Sequence, residues 1–248
     1  MSAFGLAAAP TNLKSRFLAG LDPSELKAIL NTAKQKRFPA NSVVVNQGDD
    51  ADDLFLIAEG RARFVFNTID GRKIILFWLT PGAIFGGAAV LSIPSKYLVS
   101  TETTRDSSML VWDRPTLRNL VLRYPRLLDN ASSISYDYLA WYISDHLALI
   151  SHTARERVAA VLVYLAKTFG EKVADGFEFD VTNEELAAAA NVTRFTASRV
   201  LSEWQTSRAI AKRRGKIVLR SPKLLLPYKH PMDTNEHRSA ATARSPSV

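Results

Sequence analysis

The stretch Asn191-Val192-Thr193-Arg194-Phe195-Thr196-Ala197-Ser198-Arg199-Val200-Leu201 decides how this chain is read. Thr193 is a good N-cap, and Ala197, Val200, Leu201 and Trp204 recur behind it at helical intervals. The spacing predicts a helix over 193–208 with those four residues toward a core and Arg194, Phe195, Ser198, Arg199 and Ser202 on the opposite face. Just upstream, Thr182-Asn183-Glu184-Glu185 is a capping box that opens a helix over 182–190, and only Asn191-Val192 separates the two helices. Downstream, 210–213 and 216–219 are β-like segments around Arg214-Gly215, and 177–180, before the first helix, is another. Two short helices joined by a tight turn and followed by a basic hairpin predict a winged helix-turn-helix.

The charge of the chain is concentrated at that place. Of a net +8 over 248 residues, 191–220 carries +7, because Arg194, Arg199, Arg208, Lys212, Arg213, Arg214, Lys216 and Arg220 face Glu203 alone. A solvated face would account for a basic run by itself. A basic run laid on a helix-turn-helix points instead to a partner that is a line of negative charge, double-stranded DNA. Arg194 and Arg199 are then the candidate base readers, since Arg can bond guanine O6 and N7 together, and Phe195 is the candidate contact to a thymine methyl. Thr193, Thr196 and Ser198, with Arg213, Arg214 and Lys216 on the wing, are placed to hold phosphates.

Upstream of this unit the pattern changes twice. From Lys36 to Val111, short runs of Val, Ile, Phe and Leu are punctuated about every ten residues by Gln47-Gly48-Asp49, Glu59-Gly60, Asp70-Gly71 and Pro81-Gly82. Strands are expected at 43–46, 54–58, 61–67, 73–78, 98–103 and 108–112, a closed all-β unit and most simply a jelly-roll barrel. Helical spacing over 12–33 places short helices before it. After Asp113 the helical period returns, breaks at Tyr124-Pro125, and continues over 126–151. That long helix bears two apolar stripes, Ala131–Ile134–Tyr138–Trp141 and Leu139–Ile143–His146–Ile150. One can pack on the barrel and the other wants a partner, most economically the same helix of a second copy. The candidate dimer residues are therefore Ile134, Tyr138, Trp141, Leu139, Ile143, His146 and Ile150; a helix buried within one chain would satisfy the same pattern. The fold class is α+β. Its organisation is a flexible start at 1–11, a barrel with flanking short helices at 12–125, a dimerisation helix at 126–151, a DNA-binding domain at 152–225 and a disordered tail at 226–248.

Composition closes off other classes. There is no cysteine, so disulfides, thiolate-held zinc, Cys-ligated iron–sulfur clusters and a Cys nucleophile are excluded. The four histidines, 146, 152, 230 and 237, all lie outside the barrel, which argues against metal catalysis there and against an enzyme. No apolar run has the length a membrane helix needs and the N-terminus lacks a basic leader, so a cytoplasmic protein with no membrane partner is expected.

The order of these parts resembles the Crp/Fnr superfamily of bacterial transcription regulators. The resemblance rests on Val45-Asn46-Gln47-Gly48-Asp49, Leu56-Ile57-Ala58-Glu59-Gly60, Leu79-Thr80-Pro81-Gly82-Ala83-Ile84-Phe85-Gly86, Arg157-Val158-Ala159 and, most specifically, the 191–201 stretch. It implies a cyclic-nucleotide-binding-like barrel, a homodimer, a palindromic promoter site and RNA polymerase as a further partner. The phosphate cassette departs from the pattern. Members that bind cyclic AMP have Gly-Glu there and an Arg with Ser or Thr about ten residues on, whereas this chain has Phe85-Gly86-Gly87-Ala88 and then Tyr97-Leu98. The resemblance therefore does not extend to cyclic AMP, and the effector pocket these six residues would form is apolar, suited to haem, a lipid-like molecule or nothing. Haem would need His146 or His152 as an axial ligand, and a histidine at either place serves equally as a hinge or interface hydrogen-bonder. The family's usual Glu is Phe195 here, so a different half-site is expected. A nonspecific DNA binder or interaction module with an empty barrel is the alternative.

Overall fold

The computed structural model describes residues 14–213 and 215–225, and its contacts divide the chain into two compact units, Met1–Ser151 and His152–Val248. The expected loose start, the tail beyond 225 and Arg214 lie outside the described residues.

The first unit is built on eight strands: β1 (Lys34–Phe38), β2 (Val43–Val45), β3 (Asp53–Glu59), β4 (Ala62–Asn67), β5 (Lys73–Leu79), β6 (Ile84–Phe85), β7 (Ser100–Thr103) and β8 (Ser107–Asp113). They form two four-stranded sheets, β1-β8-β3-β6 and β2-β7-β4-β5, with antiparallel pairing throughout. The two central strands of the first sheet, β3 and β8, are buried on both faces. Phe55, Ile57, Met109 and Val111 point to the interior between the sheets. Leu54, Leu56, Leu110 and Trp112 alternate to the outer face, under the helices. This is why 54–58 reads as an unbroken apolar run. Before β1 the expected helical stretch is a 3-10 turn (Arg16–Leu18) and α1 (Pro23–Leu30), capped by Asp22 with a complete capping box. The Trp112 indole donates to Ile29 O and to Thr32 Oγ1, both at 3.1 Å, and ties α1 to the sheet.

Two expectations change here. Lys34–Phe38, with four of its five residues exposed, is a strand that the sequence does not announce, held at the sheet edge by its register with β8 from Lys34↔Val111 to Phe38↔Ser107. Leu98 is not in a strand and is 80% exposed, because β7 starts only at Ser100.

Asp113 caps α2 (Arg114–Arg123), and α3 runs over Arg126–Ser151. Hydrogen bonds from Thr116 and from Lys34 hold the Asp113 carboxyl at about 2. The stripe Ala131–Ile134–Tyr138–Trp141 turns to the barrel. Ile134 is buried with the α1/α2 cluster, and Tyr138 packs edge-on against Phe64 and Phe77 at 5.6 and 5.3 Å and donates to Ile84 O at 3.2 Å. Trp141 meets Phe77 at 5.3 Å. Ile134, Tyr138 and Trp141 thus pack against the barrel side within the chain, Ile134 buried and Tyr138 and Trp141 part-exposed. The second stripe stays in solvent: Leu139, Ile143 and Ile150 are 55%, 51% and 73% exposed, and His146 is exposed beside them.

The second unit opens with α4 (Ala154–Phe169), which Thr153 and Glu156 cap reciprocally. β9 (Glu171–Val173) and β10 (Gly176–Asp180) follow, then α5 (Asn183–Ala189), α6 (Arg194–Thr206), β11 (Ile210–Arg213) and β12 (Lys216–Leu219). The strands make one sheet in the order β11-β12-β10-β9, with Arg213 opposite Lys216. β9 has no sequence signal of its own; it exists because Lys172 and Glu171 pair with Phe177 and Glu178.

Candidate nucleic-acid interface

The helix pair is fixed from the inside. Ala197, Val200, Leu201 and Trp204 of α6 are at most 1% exposed. The turn before them is made by Asn191, whose φ of +48° is a left-handed conformation that Asn tolerates better than most residues. Arg157 of α4 donates to Ala190 O at 2.9 Å and Asn191 O at 3.2 Å, so a guanidinium occupies the carbonyls that α5 leaves at its end. The Thr193 hydroxyl accepts from Thr196 N at 3.1 Å and shares a hydrogen bond with the Thr196 hydroxyl. Both threonines therefore serve the cap first.

The opposite face is open. Phe195 is 79% exposed, and the Arg194 and Arg199 side chains are also in solvent. Ser198 is half-buried beside them. The basic residues are not bare. Arg194 lies 3.9 Å from Glu184, and Arg199 Nη1 donates to Glu203 Oε1 at 2.8 Å. On the wing, Arg213 and Lys216 each donate to a different oxygen of Glu178, both at 2.7 Å, while Arg220 donates to Asp175 at 2.9 Å. Hydrogen bonds from Lys216 and then Arg213 hold the Glu178 carboxyl below the usual range, and the one from Arg220 does the same to Asp175. Much of the local excess of charge is thus balanced by acids from β10 and the turn before it. The sequence reading missed Glu178 and Asp175, and the capping role of Arg157, because each lies more than thirty residues from a group it engages.

In the first unit the residues expected to form an effector pocket are placed differently from one another. Phe85 is buried, stacked on Phe55 at 4.6 Å with the rings parallel. Tyr97 is buried in the same interior cluster, donates to Asp53 O at 3.0 Å and accepts from Asp53 N at 3.1 Å. Burial pushes its hydroxyl pKa up. At Gly86, φ +77°, an added Cβ would run into Asp53 O and the Tyr97 ring, which leaves no room for a side chain, whereas at Gly87 a Cβ would meet open space. Ala88 packs on the interior cluster, and Leu98, turned to solvent, does not line it.

Residues 35–124 match the family model for the cyclic nucleotide-binding domain, and residues 156–228 match that for the Crp-like helix-turn-helix domain. The chain belongs to the Crp/Fnr superfamily. It is 27% identical to the cyclic AMP receptor protein of Thermus thermophilus over 83% of this chain and 93% of that one. It is 26% identical to a CRP-like cAMP-activated global transcriptional regulator of Mycobacterium tuberculosis over 81% of this chain and 89% of the relative. Among solved structures, the c-di-GMP responsive global regulator CLP of Xanthomonas campestris matches with a TM-score of 0.73 at 20% identity, covering 81% of this chain and all of that one, a likeness of fold. The family is one of DNA-binding transcription regulators, not of enzymes. Among the described residues no helix is long and apolar enough to cross a membrane.

The cassette of this Crp/Fnr barrel has Gly at position 87 and Tyr97-Leu98 ten residues on, with neither a Glu nor an Arg at those places. A cyclic phosphate needs a cation and a ribose needs an acceptor at the cassette. Here Tyr97 fills the interior beside Gly86, and position 87 offers space without a carboxylate. Lys96, the neighbouring cation, donates to Gly48 O at 3.0 Å and Asp50 at 3.1 Å. Arg63 and Lys73 are both held by Glu102 of β7.

Proposed function

We propose that this Crp/Fnr regulator acts as a homodimer that reads a palindromic DNA site, with Arg194, Arg199 and Phe195 addressing bases and the wing addressing phosphates. The observation that carries this is the division of α6: four core residues wholly buried, and two arginines and a phenylalanine exposed at its N-terminal half, the end that enters a major groove. The exposed α3 stripe supports the two-fold. Tyr136, Leu139, Ile143, His146 and Ile150 follow one another at steps of three and four, the spacing of a coiled-coil seam, and Tyr136 is 71% exposed.

The same reading takes the barrel as a sensor that does not use cyclic AMP. An interior filled by Phe55, Phe85, Tyr97, Phe64 and Phe77 suits an apolar effector, or control without one. Haem held through His146 is disfavoured because His146 stands on the exposed stripe while Tyr138 and Trp141 take the barrel-facing one. A signal in the barrel would act by shifting α3 in its seam and so the distance between two recognition helices, with RNA polymerase as the partner of the bound dimer.

Selection from a randomised duplex library followed by footprinting tests the reading. A pair of inverted half-sites about one helical turn apart is expected, and binding with no selected sequence refutes it. Spin labels at position 198 test the mechanism, which fails if their separation is unchanged between conditions that alter DNA affinity.

A further inference from the structure

We propose that Glu203 is a positioning residue that gives Arg199 its base preference, a role that rests on reading α6 as the recognition helix. Glu203 is the one acid among the eight cations of 191–220. Its two oxygens are divided between two arginines: Oε1 accepts from Arg199 Nη1 at 2.8 Å, and Oε2 accepts from Arg155 Nη1. Arg155 stands in the first turn of α4, and its guanidinium lies over the ring of Trp204 at 5.0 Å from the centroid. Trp204 is wholly buried, so the chain of contacts runs from the domain core through a stacked cation to the carboxylate and then to the reader.

An isolated pair of residues four apart contributes little on a solvated helix. Arg155 makes this pair different. With one oxygen engaged from a second helix, the carboxylate becomes a fixed acceptor, and a long flexible side chain is held in one pose before DNA arrives. The contact engages Nη1 of a group that has five N–H donors, and bidentate reading of guanine needs two. On a duplex of arbitrary sequence, a released arginine falls to the nearest phosphate. Held by Glu203, it must give up a charge-assisted bond to do so, and the carboxylate also repels that phosphate. Glu203 therefore weakens nonspecific attachment and raises the ratio of specific to nonspecific affinity.

The test uses the full chain and two probes: the site selected by the wild type from a randomised library, and a shuffled duplex of the same composition. Glu203→Gln is nearly isosteric at a partly exposed position and keeps an acceptor while losing the charge. It should tighten binding to the shuffled duplex, lower the specific-to-nonspecific ratio about tenfold and steepen the salt dependence by about one unit per recognition helix. It should also relax preference at the same base pair that Arg199→Ala relaxes. In the Arg199→Ala background, Glu203→Gln should leave the ratio within about twofold, because the residue acts through Arg199. Equal changes on both probes, or a loss of ratio that persists without Arg199, would overturn the proposal. If the wild type selects no site, the sequence-specific reading falls and this one with it.

Discussion

Replacing Ile143 by Asp should dissociate the proposed dimer, and the size of the effect follows from where α3 leaves this side chain. Ile143 is 51% exposed in the single chain, so a seam would remove roughly half of an isoleucine's apolar surface from water, about 1 kcal/mol per helix. Two copies lose about 2 kcal/mol. Each also places a carboxylate among Leu139, Leu147 and Ile150, which are 55%, 57% and 73% exposed and would be covered in the same seam. Desolvating an ion there costs several kcal/mol, and the two-fold sets the charges against each other. Even at about 3 kcal/mol for the pair, the total is about 5 kcal/mol, a loss of three to four orders of magnitude in dimer affinity. Sedimentation velocity over a dilution series measures it directly. Leu122→Asp is the control, since Leu122 is 72% exposed on α2 and off the stripe, and should leave association unchanged. An Ile143→Asp protein that stays dimeric within about tenfold of wild type refutes the seam.

Three further outcomes are expected. Arg199→Ala should cost about 1–3 kcal/mol per half-site and relax one base pair, whereas Lys216→Ala should weaken selected and shuffled duplexes alike and lower the salt slope by about one unit per wing, as read by titration at several salt concentrations. Tyr138→Phe should cost about 0.5–1.5 kcal/mol through the bond to Ile84 O, and Tyr138→Ala about 2–4 kcal/mol by also removing the edges against Phe64 and Phe77, both read from urea unfolding followed by tryptophan fluorescence. Asp113 is held at about 2 against an ordinary 3.8, so it stabilises the fold fully above about pH 4 and loses that contribution as pH falls toward 2. Asp113→Asn keeps a cap and removes the titration, and its urea midpoint should therefore fall less steeply than that of the wild type over this range.

The parts whose signal is local are legible in the amino-acid sequence. Periodicity and caps delimit helices, which is why 126–151 is legible to the residue and α6 to within two at its end. Regular turn signals delimit the barrel, and the run of cations on a tight helix pair marks the DNA-facing element. The absence of cysteine and of a cassette carboxylate sets limits on cofactors before any fold is known. What required the tertiary structure is everything decided by a distant partner. Lys34–Phe38 and Glu171–Val173 are strands because a neighbour offers them a ladder, and nothing in their own polarity says so. Both stripes of α3 are apolar at helical spacing, and only the seating of Tyr138 against Phe64 and Phe77 decides which one the barrel covers and which it leaves exposed. The charge count could not separate a bare cation from one already answered. Glu178 reaches Arg213 and Lys216 across 35 and 38 residues, and Arg155 reaches Glu203 across 48. Helix and turn signals act over a few residues of chain, whereas an ion pair or a covered face depends on how elements far apart in sequence meet.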